Sequence, residues 1–535
     1  DAVRVTGASD RAGSCRVEVR IGDRDYRGRV RSPEPPAPVA LGGRWGFEIL
    51  PTLDNRWGDF RYPASATRQG PEARVFRYRL EVAGGGVDAG WHRTDQEDAD
   101  WREIWHSFGP YWYCLGPLSE KPAVLDAILR GDFDVAAAGW ELYEYSQVIG
   151  HAHPEVYGVS AGAHGLDENF IYFPATDAGA VRYLLTWVCV EAAGDWNFTF
   201  GKADPGTGQF ESSWRYNLGG GGVGQRAWVN GELVAEIGTG SRLVERPVPL
   251  RRGANPVLLE LLHEPGEPVS AIAAFTHPDD AVPEEVPPPP RLHWFAGERT
   301  PVYDVAAGVS AAVRPIGWFR FEAPRGTRRM ELDVDGELLG AWIDGEEALV
   351  DDGVIECEDG ADEVAQVALR VRHRPGCYGA AAIPRPVLFD CGPTRMPLGD
   401  WCHEALESYS GGAVYTTEFR LQPHHLECEI ELDLGEVKVA AEVEVNGKPV
   451  GVGLARPFTF DLIDCCVAGS NRLRVRVFNT LANHYAVAFP SAYVFPGQTV
   501  SGLLGPVEVR FRNRIEITAL PYSAGGGDQQ ARERS

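Results

Sequence analysis

Asp54, Asn55, Arg56, Trp57 and Asp59 crowd two carboxylates, an amide, a guanidinium and an indole into one turn. That mixture suits a polyhydroxylated ring, because planar polar groups bond paired hydroxyls while an aromatic face packs on the ring's C–H surface. The same residues also fit a structural turn, with Trp57 and Phe60 anchoring the loop and Asp54 and Asp59 capping it. A second polar group, Asn479, Asn483, His484 and Tyr485, follows directly on a long alternating strand. It falls at the rim where sandwich loops gather and carry binding groups, or where Tyr485 docks one domain on another.

Hydrolysis of a glycosidic bond needs two carboxyls roughly 5 to 10 Å apart across the scissile bond. Among 76 acidic residues, Glu404 and Glu407, beside Trp401 and His403, are the first choice if the chain is catalytic by itself. The alternative places them on the entry strand of a domain. His151, His153 and His164 have a loose metal-like spacing, without the cysteines or paired carboxylates of a zinc site. Acidic residues and sandwich-edge carbonyls are compatible with calcium, yet no EF-hand loop is present and no ligands can be named, so no cofactor is expected. Gly219-Gly220-Gly221-Gly222 lacks the Lys-Ser or Lys-Thr of a phosphate loop and reads as a connection. Trp105 and Trp112 flank an aromatic cluster that suits a sugar platform or a domain interface.

These groups must be positioned by strands. Leu426, Cys428, Ile430, Leu432 and Leu434 alternate with Glu427, Glu429, Glu431 and Asp433, and Leu473, Val475 and Val477 alternate with Arg472, Arg474 and Arg476. Period two, with one apolar and one charged face, is the pattern of a half-buried antiparallel strand. Such alternations, bounded by Gly, Pro, Asn and Asp, recur from end to end, and 123–130 is the clearest helix candidate. The expected fold is all-β, a tandem array of antiparallel, jelly-roll-like β-sandwiches, without the eight helices that a (β/α)₈ barrel requires.

An internal repeat divides the array. Asn230-Gly231 is followed 23 positions later by Gly253-Ala254-Asn255 and an alternating strand, and Asn446-Gly447 is followed at the same spacing by Gly469-Ser470-Asn471. Each Asn-Gly supplies a tight turn with positive φ. A degenerate third copy surrounds Asp344-Gly345. With the Pro287–Pro290 run as a semi-rigid spacer, the expected units are an N-terminal β module (1–120), a first sandwich (121–280), a linker (281–300), a second sandwich (301–394), a third (395–520) and a disordered tail (521–535).

The formal charge of −25 argues against a nucleic-acid partner, whose phosphates need concentrated Lys and Arg. No apolar run approaches the roughly 20 residues that span a bilayer, so no membrane partner is expected. Ten scattered cysteines lack CxxC pairs; Cys15, Cys189 and Cys428 stand on apolar strand faces as small hydrophobes. That usage favours a reducing, cytoplasmic address, and Asp1 at the first position points to a processed or truncated N-terminus.

The strands and turns of residues 400–512, ending in Asn479–Tyr485 and Ser501-Gly502-Leu503-Leu504-Gly505-Pro506-Val507, resemble the galactose-binding-like sugar-binding domain of family 2 glycoside hydrolases. They are more closely similar to the C-terminal part of family 106 α-L-rhamnosidases. Thr52–Phe60, and the region from Trp140 through Tyr145-Ser146 to Phe170-Ile171, also look rhamnosidase-like. The resemblance implies the β-sandwich, sugar-binding half of such an enzyme, with a rhamnose-containing glycan or glycoside as partner. Because the family carries its catalytic carboxylates on a barrel, it implies no catalytic residue in this chain. Two other functions fit the same residues: a self-contained polysaccharide-degrading enzyme with a cleft between sandwiches, and a non-enzymatic glycan-binding or assembly subunit.

Overall fold

In a computed structural model the described residues are 2–54, 67–81, 84–106, 112–120, 139–143, 170–173, 176–201, 224–238, 243–266, 269–278, 302–308, 314–357, 363–375, 379–462, 464–485 and 497–522. Asn55, Arg56, Trp57, Asp59, the three spaced histidines, the 123–130 helix, the Gly219–Gly222 and Pro287–Pro290 runs and the 523–535 tail lie outside them.

The fold is all-β, as expected. The described strands pair antiparallel and form sheets that face one another as β-sandwiches, with no closed barrel among them. In the third sandwich, strands Thr394–Pro397, Arg44–Leu50, Gly412–Leu421, Gly469–Phe478, Ala440–Val445 and Lys448–Gly453 lie side by side. They face a sheet built around Cys428–Asp433 and the long strand Glu508–Tyr522. The predicted alternation holds: Ile430, Leu432, Leu473, Val475 and Val477 are buried, while the charged residues between them reach the outer face. Each such side chain contributes about 1.5–3 kcal/mol when fully buried, which pins the register, since a one-residue slip would expose them all.

The chain threads the sandwiches twice. Arg44–Leu50 belongs to the third; Glu72–Ala73, Val75–Glu81 and Arg102–Trp105 to the second; and Tyr113–Leu118 to the first. The remaining strands then fill the first, second and third in that order. Residues 1–120, expected as an N-terminal β module, thus contribute strands to each sandwich. Trp112 is neither platform nor interface: it is fully buried in the first core, its ring 5.9 Å from that of Tyr303. The nine described cysteines are free thiols, with Cys428 buried and Cys15 and Cys189 half-buried.

The repeat has a physical basis. Asn230 and Asn446 adopt φ of 53° and 54°, and each donates from its amide to the Oδ1 of an asparagine 25 residues on, Asn255 or Asn471, at 2.9 Å. Asn255 and Asn471 are fully buried, and each binds both the N–H and the C=O of the residue four before it. In the degenerate copy Asp344, at φ 50°, accepts from the Gln366 N–H at 2.8 Å. Gly435 is required for space as well as conformation: at φ 65°, a Cβ there would stand 2.5 Å from the Gly505 carbonyl.

At the chain ends, Val3–Ser9 pairs with residues 513–519 of the last strand, and the hairpin Gly13–Ile21/Arg24–Ser32 packs beside it.

Candidate functional site

Three segments meet at one end of the third sandwich. Gly412 pairs with Leu50 on one side and Phe478 on the other, so the exit of Arg44–Leu50, the approach to Gly412–Leu421 and the exit of Gly469–Phe478 share a rim. This register brings Trp401–Glu407 together with Asn479–His484, where Asn483 reaches the Glu407 carbonyl, while Asp54 pairs with Arg68 in the segment that follows Leu50.

The amides of this rim are committed to the chain itself. Asn479 donates to the Tyr409 carbonyl at 2.7 Å and to Ser501 Oγ at 3.0 Å, and its Oδ1 accepts from the Gly411 N–H at 2.8 Å. Asn483, fully buried, donates to the carbonyls of Thr499 (2.7 Å) and Glu407 (3.0 Å) and accepts from the Ser501 hydroxyl (3.0 Å). Buried amides satisfied on every side rigidify what they join. Asn479 and Asn483 therefore shape the rim by fastening its loops.

His484 is held from another sandwich. Its Nδ1 lies 2.9 Å from Nη2 of Arg74, its carbonyl accepts from the same guanidinium, and its N–H donates to Ser410 Oγ at 2.9 Å. Arg74, 1 % exposed, donates through Nε to Glu72 at 2.6 Å, and the Glu72 carbonyl accepts from Ser408 Oγ at 2.8 Å. Glu72 opens the strand Glu72–Ala73 of the second sandwich, so the cluster is a weld between the second and third sandwiches. Arg325 adds another by pairing with Glu404 and Glu363, and Glu363 also pairs with Arg44 at 2.5 Å. The Tyr485 side chain lies outside the described part of the chain.

The two candidate carboxyls separate in character. Glu404 is buried in its ion pair with Arg325, a structural position. Glu407 keeps contact with solvent, yet the protein packed around it pushes its carboxyl above the usual range. Its own backbone opposes that shift, the neighbouring charge of Glu322 adds to it, and Arg74 opposes it. A carboxyl biased toward its protonated form, open to solvent and beside a second carboxylate, is suited to proton donation. His403 is exposed, and Trp401 is fully buried, donating to Tyr415 Oη at 2.6 Å.

Sequence reasoning missed Glu72, Arg74 and Glu322, which carry no local signal: they matter only because the second sandwich abuts the third. Among the described residues no group of three or more His, Cys, Asp or Glu side chains is placed to hold a metal ion.

No protein-family model matches the chain. Over 83 residues it is 40% identical to a putative beta-glucuronidase of Formosa agariphila, a match covering 15% of this chain and 7% of that protein. Among solved structures, the rhamnosidase from Novosphingobium sp. PP1Y aligns at 15% identity and a TM-score of 0.20, over 64% of this chain and 25% of that one. The Bifidobacterium dentium beta-glucuronidase aligns at 21% identity and a TM-score of 0.18, over 24% of this chain and 25% of that one. The beta-D-mannosidase from Dictyoglomus thermophilum aligns at 20% identity and a TM-score of 0.19, over 23% and 21%. The chain thus spans a small fraction of the curated relative and a quarter or less of these solved chains.

Proposed function

We propose that this chain is the sugar-binding β-sandwich portion of a carbohydrate-active protein, rhamnosidase-like in its last domain, whose bond-breaking barrel lies outside these 535 residues. The observation that carries the reading is the 40% identity over 83 residues to a protein named as a putative beta-glucuronidase. The tandem sandwich fold is compatible with it, and the welded rim supplies a rigid platform of the kind that shapes a glycan site beside a second domain. In this reading Asp54 lies on the side that meets the glycan, while Asn479, Asn483, His484 and Arg74 hold that face in place.

A second reading rests on Glu407 alone. Its raised, solvent-open carboxyl beside Glu322 would make the chain a glycosidase in its own right, with Glu407 protonating the leaving oxygen. One experiment separates the two: the purified chain is titrated with rhamnose- and glucuronate-bearing oligosaccharides by calorimetry and assayed for their hydrolysis. Binding without turnover supports the first reading, and turnover abolished by Glu407→Gln supports the second. Neither binding nor turnover overturns both and leaves an assembly subunit.

A further inference from the structure

The hairpin Gly13–Ile21/Arg24–Ser32 departs from the rest of the chain in charge. Residues 1–32 hold eight arginines against five carboxylates, a net charge of +3 in a chain whose total is −25. Five of the eight arginines are sorted onto one face of the hairpin. Tyr26 and Gly28 are buried, and a Cβ at Gly28 would lie 2.6 Å from Ile517 Cγ2, so the inner face is covered by the last strand. Arg16, Arg20, Arg27, Arg29 and Arg31 point the other way and are exposed.

Part of that outer face is neutralised and part is not. Arg20 pairs with Asp25 and Arg27 with Glu18, each at 3.0 Å. Arg16 stands directly opposite Arg29, Arg31 faces Ser14, and Ser14 accepts from Arg29 Nε. Among the described residues none of these three guanidiniums meets a carboxylate. Directly opposed like charges destabilise a strand pair, and the diagonal neighbour Arg31 is only about 7–8 Å from Arg16. The hairpin accepts that repulsion on a protein whose remaining charge is strongly negative.

We infer that the Arg16–Arg29–Arg31 face is a binding surface for an acidic, carboxylate-bearing polysaccharide. Anionic oxygens would relieve the repulsion, and a planar guanidinium meets a carboxylate bidentately where an ammonium offers only a point charge. The inference rests on the carbohydrate reading above and narrows it to an anionic glycan. The period-two pleat presents the arginines on one side, so the surface suits a chain laid across the hairpin.

The test uses the whole chain immobilised in low salt against polygalacturonate, neutral dextran, dextran sulfate and a single-stranded oligonucleotide. Polygalacturonate is expected to bind, and to weaken severalfold as salt rises from 0.01 M to 0.15 M, where the screening length falls from about 30 Å to about 8 Å. Arg16→Gln/Arg29→Gln/Arg31→Gln should lose about tenfold in affinity, the effect of three exposed ion pairs of ordinary strength. The Arg16→Lys/Arg29→Lys/Arg31→Lys chain, which keeps the charge, should retain part of that affinity and guards against misfolding as the cause. Tighter binding of dextran sulfate or of the oligonucleotide, or polygalacturonate binding indifferent to the Gln variant, overturns the inference. Loss of this binding with rhamnose-bearing ligands still bound would sink the hairpin surface alone and leave the proposed function standing.

Discussion

Nη2 of Arg74 lies 2.9 Å from Nδ1 of His484, across 410 residues of sequence. The contact joins a strand of the second sandwich to the segment that leaves Gly469–Phe478, a central strand of the third, and it decides what that rim is. A histidine that on paper looked free to meet a ligand is 3 % exposed and bonded on both its ring and its backbone.

Arg74→Ala is therefore expected to lower stability by about 3–5 kcal/mol, because it strands the buried carboxylate of Glu72 without its cation. Removing both charges, as Glu72→Met/Arg74→Met, should recover most of the loss. Urea denaturation of the two variants checks this; a single variant as stable as the parent would mean that the cluster joins nothing.

The paired asparagines make a second prediction. Asn471→Ala removes a fully buried amide that binds the backbone of Val467 and Gly469, and since those two residues are exposed and water can replace the partner, each lost bond should cost about 1 kcal/mol. Asn446→Ala should cost less, and a double-mutant cycle between the two should return a coupling of about 1 kcal/mol for their shared hydrogen bond. The same cycle on Asn230 and Asn255 should give a similar value in the first sandwich. Additive losses would show that the two motifs share only their spacing.

Stability should also fall on mild acidification. Burial holds the rings of His263 and His373 down to about 4, with the Arg182 charge adding to the effect at His263, whereas an unfolded imidazole takes its proton near about 6.5. The unfolded chain thus binds more protons between those values, and stability present above about pH 6.5 is lost as pH falls toward about 4. His373→Asn should flatten the profile of melting temperature against pH in that window. An unchanged slope would place the acid sensitivity elsewhere.

Glu407 works in the opposite direction. Although the residue is exposed, its carboxyl is raised in the fold, chiefly through desolvation by the protein packed around it, so its contribution is complete below the unfolded value of about 4.3 and declines as pH rises through the raised one. Glu407→Gln should melt higher than the parent at pH 8 and with it at pH 4. A variant that melts lower at pH 8 would show that the ionised carboxylate is favourably held.

The residues themselves were enough to determine the all-β class, the strand faces and the repeated turn. Period-two alternation reports which side of a strand is buried, as with Leu473, Val475 and Val477, and Asn-Gly reports a positive-φ turn, as at Asn230 and Asn446. Both are properties of a few consecutive residues. Only the tertiary structure decided that Arg44–Leu50 enters the third sandwich and Val75–Glu81 the second, because strand partners are chosen by complementary faces far away in the chain. That choice set the chemistry of the rim. Glu404 and Glu407 look alike in sequence, but Arg325 neutralises one while packed protein, with a lesser part from Glu322, keeps the other inclined to its proton. A carboxyl's role depends on the charges and the solvent around it, and folding alone assembles those surroundings.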